Sequence, residues 1–176
     1  MARYRDASCR LCRRERMKLM LKGDRCVTAK CAITKRREVP GPVNRKMKQL
    51  SEYGVQMREK QKVKRIYGIL EKQFRNYYQE ATRISGVSGE NLLRLLELRL
   101  DNVVYRLGLA KSRSQARQFV YHGFISVNGK RMTIPSYCVK VGDKISITDR
   151  GNAIGQVKEI VEDLKSEYVP AWLSLD

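Results

Sequence analysis

The fold class predicted from the sequence is α+β, mainly helical, and three observations predict it. Four of the five cysteines fall in the first 31 residues, where large apolar side chains are few. Apolar residues then recur at helical spacing through the middle of the chain. Residues 124–147 carry short strand-like runs broken by Asn128-Gly129 and Gly142-Asp143. The expected architecture is a metal-stabilised N-terminal arm, a helical domain, and a helix–turn–helix module backed by a small antiparallel sheet. The expected boundaries are a basic four-cysteine arm and linker over 1–50, a helical region over 51–90, the helix–turn–helix module over 91–150, and a C-terminal helix and tail over 151–176 that packs back on the body.

Cys9 and Cys12 form a C-x2-C pair, and Cys26 and Cys31 a C-x4-C pair. Both spacings lie within those of structural metal sites, and four thiolates suit zinc, with an iron–sulfur cluster as the alternative. With four protein ligands no position is left for water, so the role is structural. Metal binding would supply folding free energy on the order of 10 kcal/mol to an arm too poor in apolar residues to fold unaided. Arg10, Arg13, Arg14 and Arg16 crowd the first pair, where they would offset the negative charge of four thiolates and reach phosphates. Residues 35–50, KRREVPGPVNRKMKQL, are basic and interrupted by Pro40-Gly41-Pro42, a linker expected to order on its partner.

Ser51 opens a helical region with a cationic cluster at Lys60, Lys62, Lys64 and Arg65. From Ile66 the series Ile69, Leu70, Phe74, Tyr77, Tyr78 and Ala81 predicts one amphipathic helix, with Arg75 on its polar side. Tyr67, Tyr77 and Tyr78 suit either core packing or stacking on bases. Residues 86–89 break the pattern, and Ser88 is the expected N-cap of a helix carrying Leu92, Leu93, Leu95 and Leu96.

The stretch ELRLDNVVYRLGLAKSRSQARQFVYHGFISVNGKR, residues 97–131, is the most informative. Leu96, Leu100, Val103, Val104 and Leu107 predict a helix that Gly108 stops. Ser112 and Gln115 predict a capping box for a second helix that buries Ala116, Phe119 and Val120 and ends at Gly123. Phe124 to Val127 reads as a strand, Asn128-Gly129 as a hairpin turn, and Lys144 to Ile147 as a returning strand. Arg113 and Arg117 are four apart and so share a helix face, as Arg99 and Arg106 share one seven apart, with Lys111 between the helices and Lys130 and Arg131 after the turn. Guanidinium forks on such a face suit phosphate oxygens, and exchanging Arg113 and Arg117 for alanine is expected to weaken RNA binding with the fold intact. Cys138 is expected to be a buried or half-buried thiol. Residues 153–166 predict a last amphipathic helix through Ile154, Val157, Ile160, Val161 and Leu164, and Trp172 is expected to pack the tail onto the body.

The net charge of +19 and pI near 10.0 call for a polyanionic partner. Residues 1–50 hold 16 Lys and Arg against four Asp and Glu, whereas residues 151–176 hold two against five. No apolar run is long enough to span a membrane, since Arg94, Glu97 and Arg99 interrupt the richest one, and the start of the chain has no apolar targeting segment. The only histidine, His122, stands at a helix end where a cation is favoured, and no nucleophile, Walker loop or dinucleotide fingerprint accompanies it, so no catalysis is expected.

LELRLDNVVYRLG, SRSQARQ and HGFISVNGK within residues 96–131 resemble the alpha-L RNA-binding motif. That motif is shared with heat-shock ribosome-associated proteins, pseudouridine synthases and bacterial tyrosyl-tRNA synthetases. EYGVQMREKQKVKRIYGILEKQFRNYYQEA at 52–81 closely resembles the bacterial small-subunit ribosomal protein four family, CRLCRRE with Cys26 and Cys31 resembles its cysteine-bearing variant, and PAWLSLD at 170–176 fits as well. The resemblance implies a primary binder of small-subunit (16S) rRNA that nucleates assembly of the subunit body. It also implies a part in translational accuracy beside small-subunit proteins five and twelve at the mRNA entry side, and a place in the cytoplasmic ribosome or, alternatively, an organellar one. It assigns metal ligation to Cys9, Cys12, Cys26 and Cys31, and the motif's RNA face to Arg99, Arg106, Lys111, Arg113, Arg117, Lys130 and Arg131. Arg10, Arg13, Arg14, Lys60, Lys62, Lys64, Arg65 and Arg75 complete the expected RNA-binding set. The family has a Pro-Gly-Gln-His-Gly-type loop where this chain has VPGPVNRKM at 39–47, and it continues past the Trp-Leu segment. An RNA-modifying or ribosome-associated factor using the same motif is the alternative function.

Overall fold

The computed structural model describes residues 3–36, 38–42, 49–162 and 169–175 and divides into two compact units, residues 1–75 and 76–176. Most of the loop at 39–47 and Leu164 therefore lie outside the described residues.

In the first unit three short helices, α1 (Ser8–Glu15), α2 (Asp24–Val27) and α3 (Ala32–Lys35), precede the longer α4 (Glu52–Ile66). α1 packs against α3 and α4. The small core of the arm is mostly sulfur: Cys12, Cys26 and Cys31 are buried together with Leu19. Ser51 caps α4 by accepting the Gly54 N–H at 3.2 Å. The single helix expected beyond Ile66 is instead two. α4 ends at Ile66, Gly68 takes the left-handed conformation at φ +64°, and α5 (Glu71–Arg83) starts afresh. The apolar series runs across this break because Ile69 is buried in the connection itself, with its N–H bonded to the Lys64 carbonyl at 3.0 Å.

The second unit holds α6 (Ser88–Glu97), α7 (Leu100–Arg106), α8 (Arg113–His122), strands β1 (Ile125–Val127), β2 (Lys130–Arg131) and β3 (Ile145–Ile147), and helices α9 (Asp149–Asn152) and α10 (Gly155–Glu162). Ser88 is the first residue of α6, with Val87 in the cap position. The sheet is antiparallel in the order β2-β1-β3, with Val127 opposite Lys130 and Ile145. The Asn128-Gly129 turn has both residues at positive φ, +51° and +75°, as a type I′ hairpin requires. Asn128 also ties the turn to the returning strand, bonding Asp143 and the Lys144 N–H at 2.9 Å each. One core joins α7, α8, the sheet and α10 through Leu100, Val103, Val104, Ala116, Phe119, Val120, Ile125, Val157 and Ile160.

Several expectations for this unit change. The helix expected through Leu96 and Leu100 is broken between α6 and α7, because Arg99 is extended and the backbone on either side of it bonds to 135–139. Leu100 N–H bonds the Tyr137 carbonyl at 2.8 Å, Asp101 N–H that of Pro135 at 3.1 Å, and Val139 N–H that of Leu98 at 2.9 Å. A short helix that was not expected, α9, precedes the last expected one, α10, and Thr148 caps it through the Gly151 N–H at 3.3 Å. Leu173, rather than the half-exposed Trp172, packs the tail against the core, and Cys138 is exposed.

Candidate nucleic-acid interface

The arginines of the second unit are organised by three residues at the start of α7 and the end of α6. Glu97 accepts from Arg106 Nε at 2.9 Å and Nη2 at 2.6 Å, and from Asn102 Nδ2 at 2.6 Å. Asn102 Oδ1 accepts from Arg113 Nε at 2.8 Å. Asp101 accepts from Arg99 through both oxygens and from Arg117 Nη1, each at 3.2 Å. The Arg113 guanidinium lies over the Tyr105 ring, 4.5 Å from its centroid. α7 and α8 are thus joined by charge-assisted bonds as well as by apolar packing.

Arg99 does not share an outer face with Arg106. It is 1% exposed, caps α7 with extended backbone, and donates to the Tyr77 hydroxyl at 2.6 Å. Burial works against its charge, but the Asp101 carboxylate and Tyr77 outweigh it and hold the guanidinium protonated. Arg99 is therefore a structural cation inside the module. The reason is the pairing of 98–101 with 135–139, which turns position 99 off the helix.

Lys111, Lys130 and Arg131 are exposed, while Arg106, Arg113 and Arg117 are half-buried. α8 starts as expected, with Ser112 Oγ accepting the Gln115 N–H at 3.3 Å, but Gln115 Oε1 reaches back to the Lys111 N–H at 2.9 Å. The Arg131 side chain crosses the end of α8, so that a Cβ on Gly123 would stand 2.1 Å from its Nε.

In the first unit the cationic cluster of α4 is matched by acids that the periodicity did not single out. Lys64 bonds Glu71 at 2.8 Å, Lys60 pairs with Glu71, and Lys62 pairs with Glu59. The Lys60 and Lys64 hydrogen bonds hold the Glu71 carboxyl down at about 2. Glu15, whose side chain is wholly buried, pairs with Arg65 and accepts from Arg58 at 3.3 Å, and its Oε2 is the one buried side-chain polar atom without a partner among the described residues. Arg10, Arg14 and Arg75 are exposed, and Arg13 Nε donates to the Glu38 carbonyl at 2.9 Å.

The four arm cysteines come from all three short helices. Cys9 and Cys12 lie on α1, Cys26 on α2, and Cys31 caps α3. Burial raises the Cys12 thiol, a backbone bond at Leu19 opposes this, and the charges of Cys26, Cys9 and Cys31 raise it further, so Cys12 feels the other three. Burial also raises Cys31, but the Ile33 and Thr34 N–H groups and Lys18 outweigh it and favour the thiolate. As the side chains stand, no three His, Cys, Asp or Glu among the described residues are arranged to hold a metal ion. The chemistry of the donor set nevertheless fits a thiophilic ion, because four cysteine sulfurs drawn from the three short helices are soft ligands that a cation would deprotonate.

Residues 3–97 match the family described as Ribosomal protein S4/S9 N-terminal domain, and residues 98–145 match the S4 domain. The chain is 57% identical, over its full length and 85% of the relative, to small ribosomal subunit protein uS4 of Desulforamulus reducens. It is 59% identical to uS4A of Clostridium botulinum over 99% of this chain and 84% of the relative. To uS4A of Alkaliphilus metalliredigens it is 57% identical over all of this chain and 84% of the relative.

Proposed function

The chain belongs to the small ribosomal subunit protein uS4 family, a structural rRNA-binding constituent of the ribosome and not an enzyme, and from that premise we propose which of its surfaces does the binding. The α7–α8 face of Arg106, Lys111, Arg113 and Arg117, extended by Lys130 and Arg131 on the hairpin, grips rRNA phosphates. The observation that carries this is the set of acceptors behind the face. Glu97, Asp101 and Asn102 hold three arginines in fixed orientations, so little side-chain entropy is lost when RNA docks. Arg10, Arg14 and Arg75, exposed in the first unit, add contacts, whereas the α4 lysines and Arg65 first answer to Glu71, Glu59 and Glu15.

Cys9, Cys12, Cys26 and Cys31 hold a structural metal ion in this reading, zinc before an iron–sulfur cluster because the arm offers four thiols and no open position. When bound, the ion supplies folding free energy to the arm and no chemistry on RNA. The protein nucleates assembly of the small-subunit body and contributes to accuracy beside proteins five and twelve at the mRNA entry side. Chemical protection of small-subunit rRNA by the wild-type chain and by Lys130→Gln/Arg131→Gln tests the face. Loss of protected backbone positions in the variant supports it, and an unchanged footprint refutes it.

A further inference from the structure

The arm contains a concavity of about 720 Å³ into which Arg10, Arg13, Arg25, Lys30, Lys35 and Arg36 converge. No acidic side chain lines it among the described residues. The six cations come from α1, α2, α3, the turn before α3 and the residue that ends it, separated by up to 26 positions in the chain, so the fold assembles them. A solvated charge run would instead spread its charges apart. Arg13 is further fixed by its bond to the Glu38 carbonyl at 2.9 Å. Ala7, Ala32 and Pro40 give the concavity small apolar walls. The volume lies in the range of about 300–1,000 Å³ that takes a multi-atom ligand rather than a single small ion.

We propose that this basin is a phosphate-gripping subsite, in which a short run of RNA backbone seats two or three consecutive phosphates against the six cations. The reading rests on the rRNA-binding function and names a part of it outside the α7–α8 face. Like charges gathered in a concavity focus a positive potential and hold a dense counterion cloud. Backbone phosphates release those counterions, which makes the subsite's share of the affinity strongly salt-dependent. The small apolar walls leave room for ribose between phosphates. Inorganic phosphate offers the same oxyanion singly, without the neighbouring charges that several cations at once can engage.

The test compares the full-length chain with Arg25→Gln/Lys30→Gln/Lys35→Gln, and with the charge-keeping Arg25→Lys/Lys30→Arg/Lys35→Arg, for binding to folded small-subunit rRNA between about 50 and 200 mM salt. The neutral variant is expected to bind at least tenfold more weakly at low salt. Its log–log salt slope should be shallower by about 2, at roughly 0.7–0.9 per phosphate, while the charge-keeping variant holds the wild-type slope. Equal affinity and slope in all three proteins would overturn the subsite. Displacement of rRNA by millimolar inorganic phosphate from the wild type, and not from the neutral variant, would overturn the RNA-backbone assignment in favour of a free-anion site. If circular dichroism shows the triple variant unfolded, Lys30→Gln and Lys35→Gln singly decide, each expected to lower the slope by roughly 0.7–0.9, and unchanged slopes would sink the proposal. A wild-type chain that fails to bind rRNA at all refutes the rRNA function itself, a result distinct from any of these.

Discussion

Asp101 holds the buried Arg99 with both carboxylate oxygens and the interfacial Arg117 with one, all at 3.2 Å. One carboxylate thus neutralises an internal cation and orients one on the proposed RNA face. Removing its charge strands Arg99 in a site only 1% exposed. Asp101→Asn is expected to cost about 3–5 kcal/mol, the range for breaking a buried pair by removing one partner, as read by urea unfolding. Adding Arg99→Met should recover part of that loss, and no recovery would mean that the pair is not the cause.

Arg113→Ala/Arg117→Ala acts on both binding and stability. Arg113 is bonded to Asn102 and stacked on Tyr105, and Arg117 is paired with Asp101, so the two side chains also pin α8 to α7. The expectation of an intact fold therefore changes. We expect rRNA binding to weaken at least tenfold and unfolding free energy to fall by about 1–3 kcal/mol, one to two charge-assisted bonds. Undiminished stability would place both arginines wholly on the RNA side.

The local features of this module were legible because their causes are local. Ser112, Gly108, Gly123 and Asn128-Gly129 specify caps and a turn through backbone geometry within a few residues. The burial of Arg99 was not legible, because its cause is the backbone of 135–139, far along the chain. The break at Gly68 was hidden for another reason, since Ile69 buries itself in the connection and keeps the helical apolar spacing unbroken. Two of the acids that answer the basic cluster of α4 sit on other elements, Glu15 on α1 and Glu71 on α5, where charge counting along one helix does not see them.

Gly123→Ala carries two separable costs. The residue stands at φ +73°, which an alanine adopts at about 1 kcal/mol, and its Cβ would collide with the Arg131 side chain at 2.1 Å. The Arg131→Ala background should remove the second cost and leave the first. A double-mutant cycle by thermal unfolding checks this, and perfect additivity would show that Arg131 moves aside freely.

Acid should loosen the junction of α4 and α5. The Glu71 carboxyl is held at about 2 against an ordinary 4.5 by Lys60 and Lys64. A depressed folded value means that its contribution is fully present above pH 4.5 and is lost as pH falls towards about 2. The pairs are half-exposed, so each is expected to contribute about 0.2–1 kcal/mol. Glu71→Gln should flatten the pH dependence of unfolding in that window, and an unchanged profile would exclude the pairs as its source.

The thiol cluster predicts a metal-dependent arm. Chelation, or Cys12→Ser, is expected to abolish protection of the backbone over residues 8–35 in hydrogen exchange while leaving residues 100–147 protected. Retained protection in metal-free protein would show that the arm folds on its Cys and Leu19 core alone.

Whether the protein is a site-specific rRNA binder is decided by binding of the purified chain to folded small-subunit rRNA in the presence of excess tRNA and duplex DNA. Tight binding that survives both competitors and weakens steeply with salt is expected. Equal displacement by tRNA or duplex DNA would contradict it, because the arginine face and the basin would then answer to any polyanion.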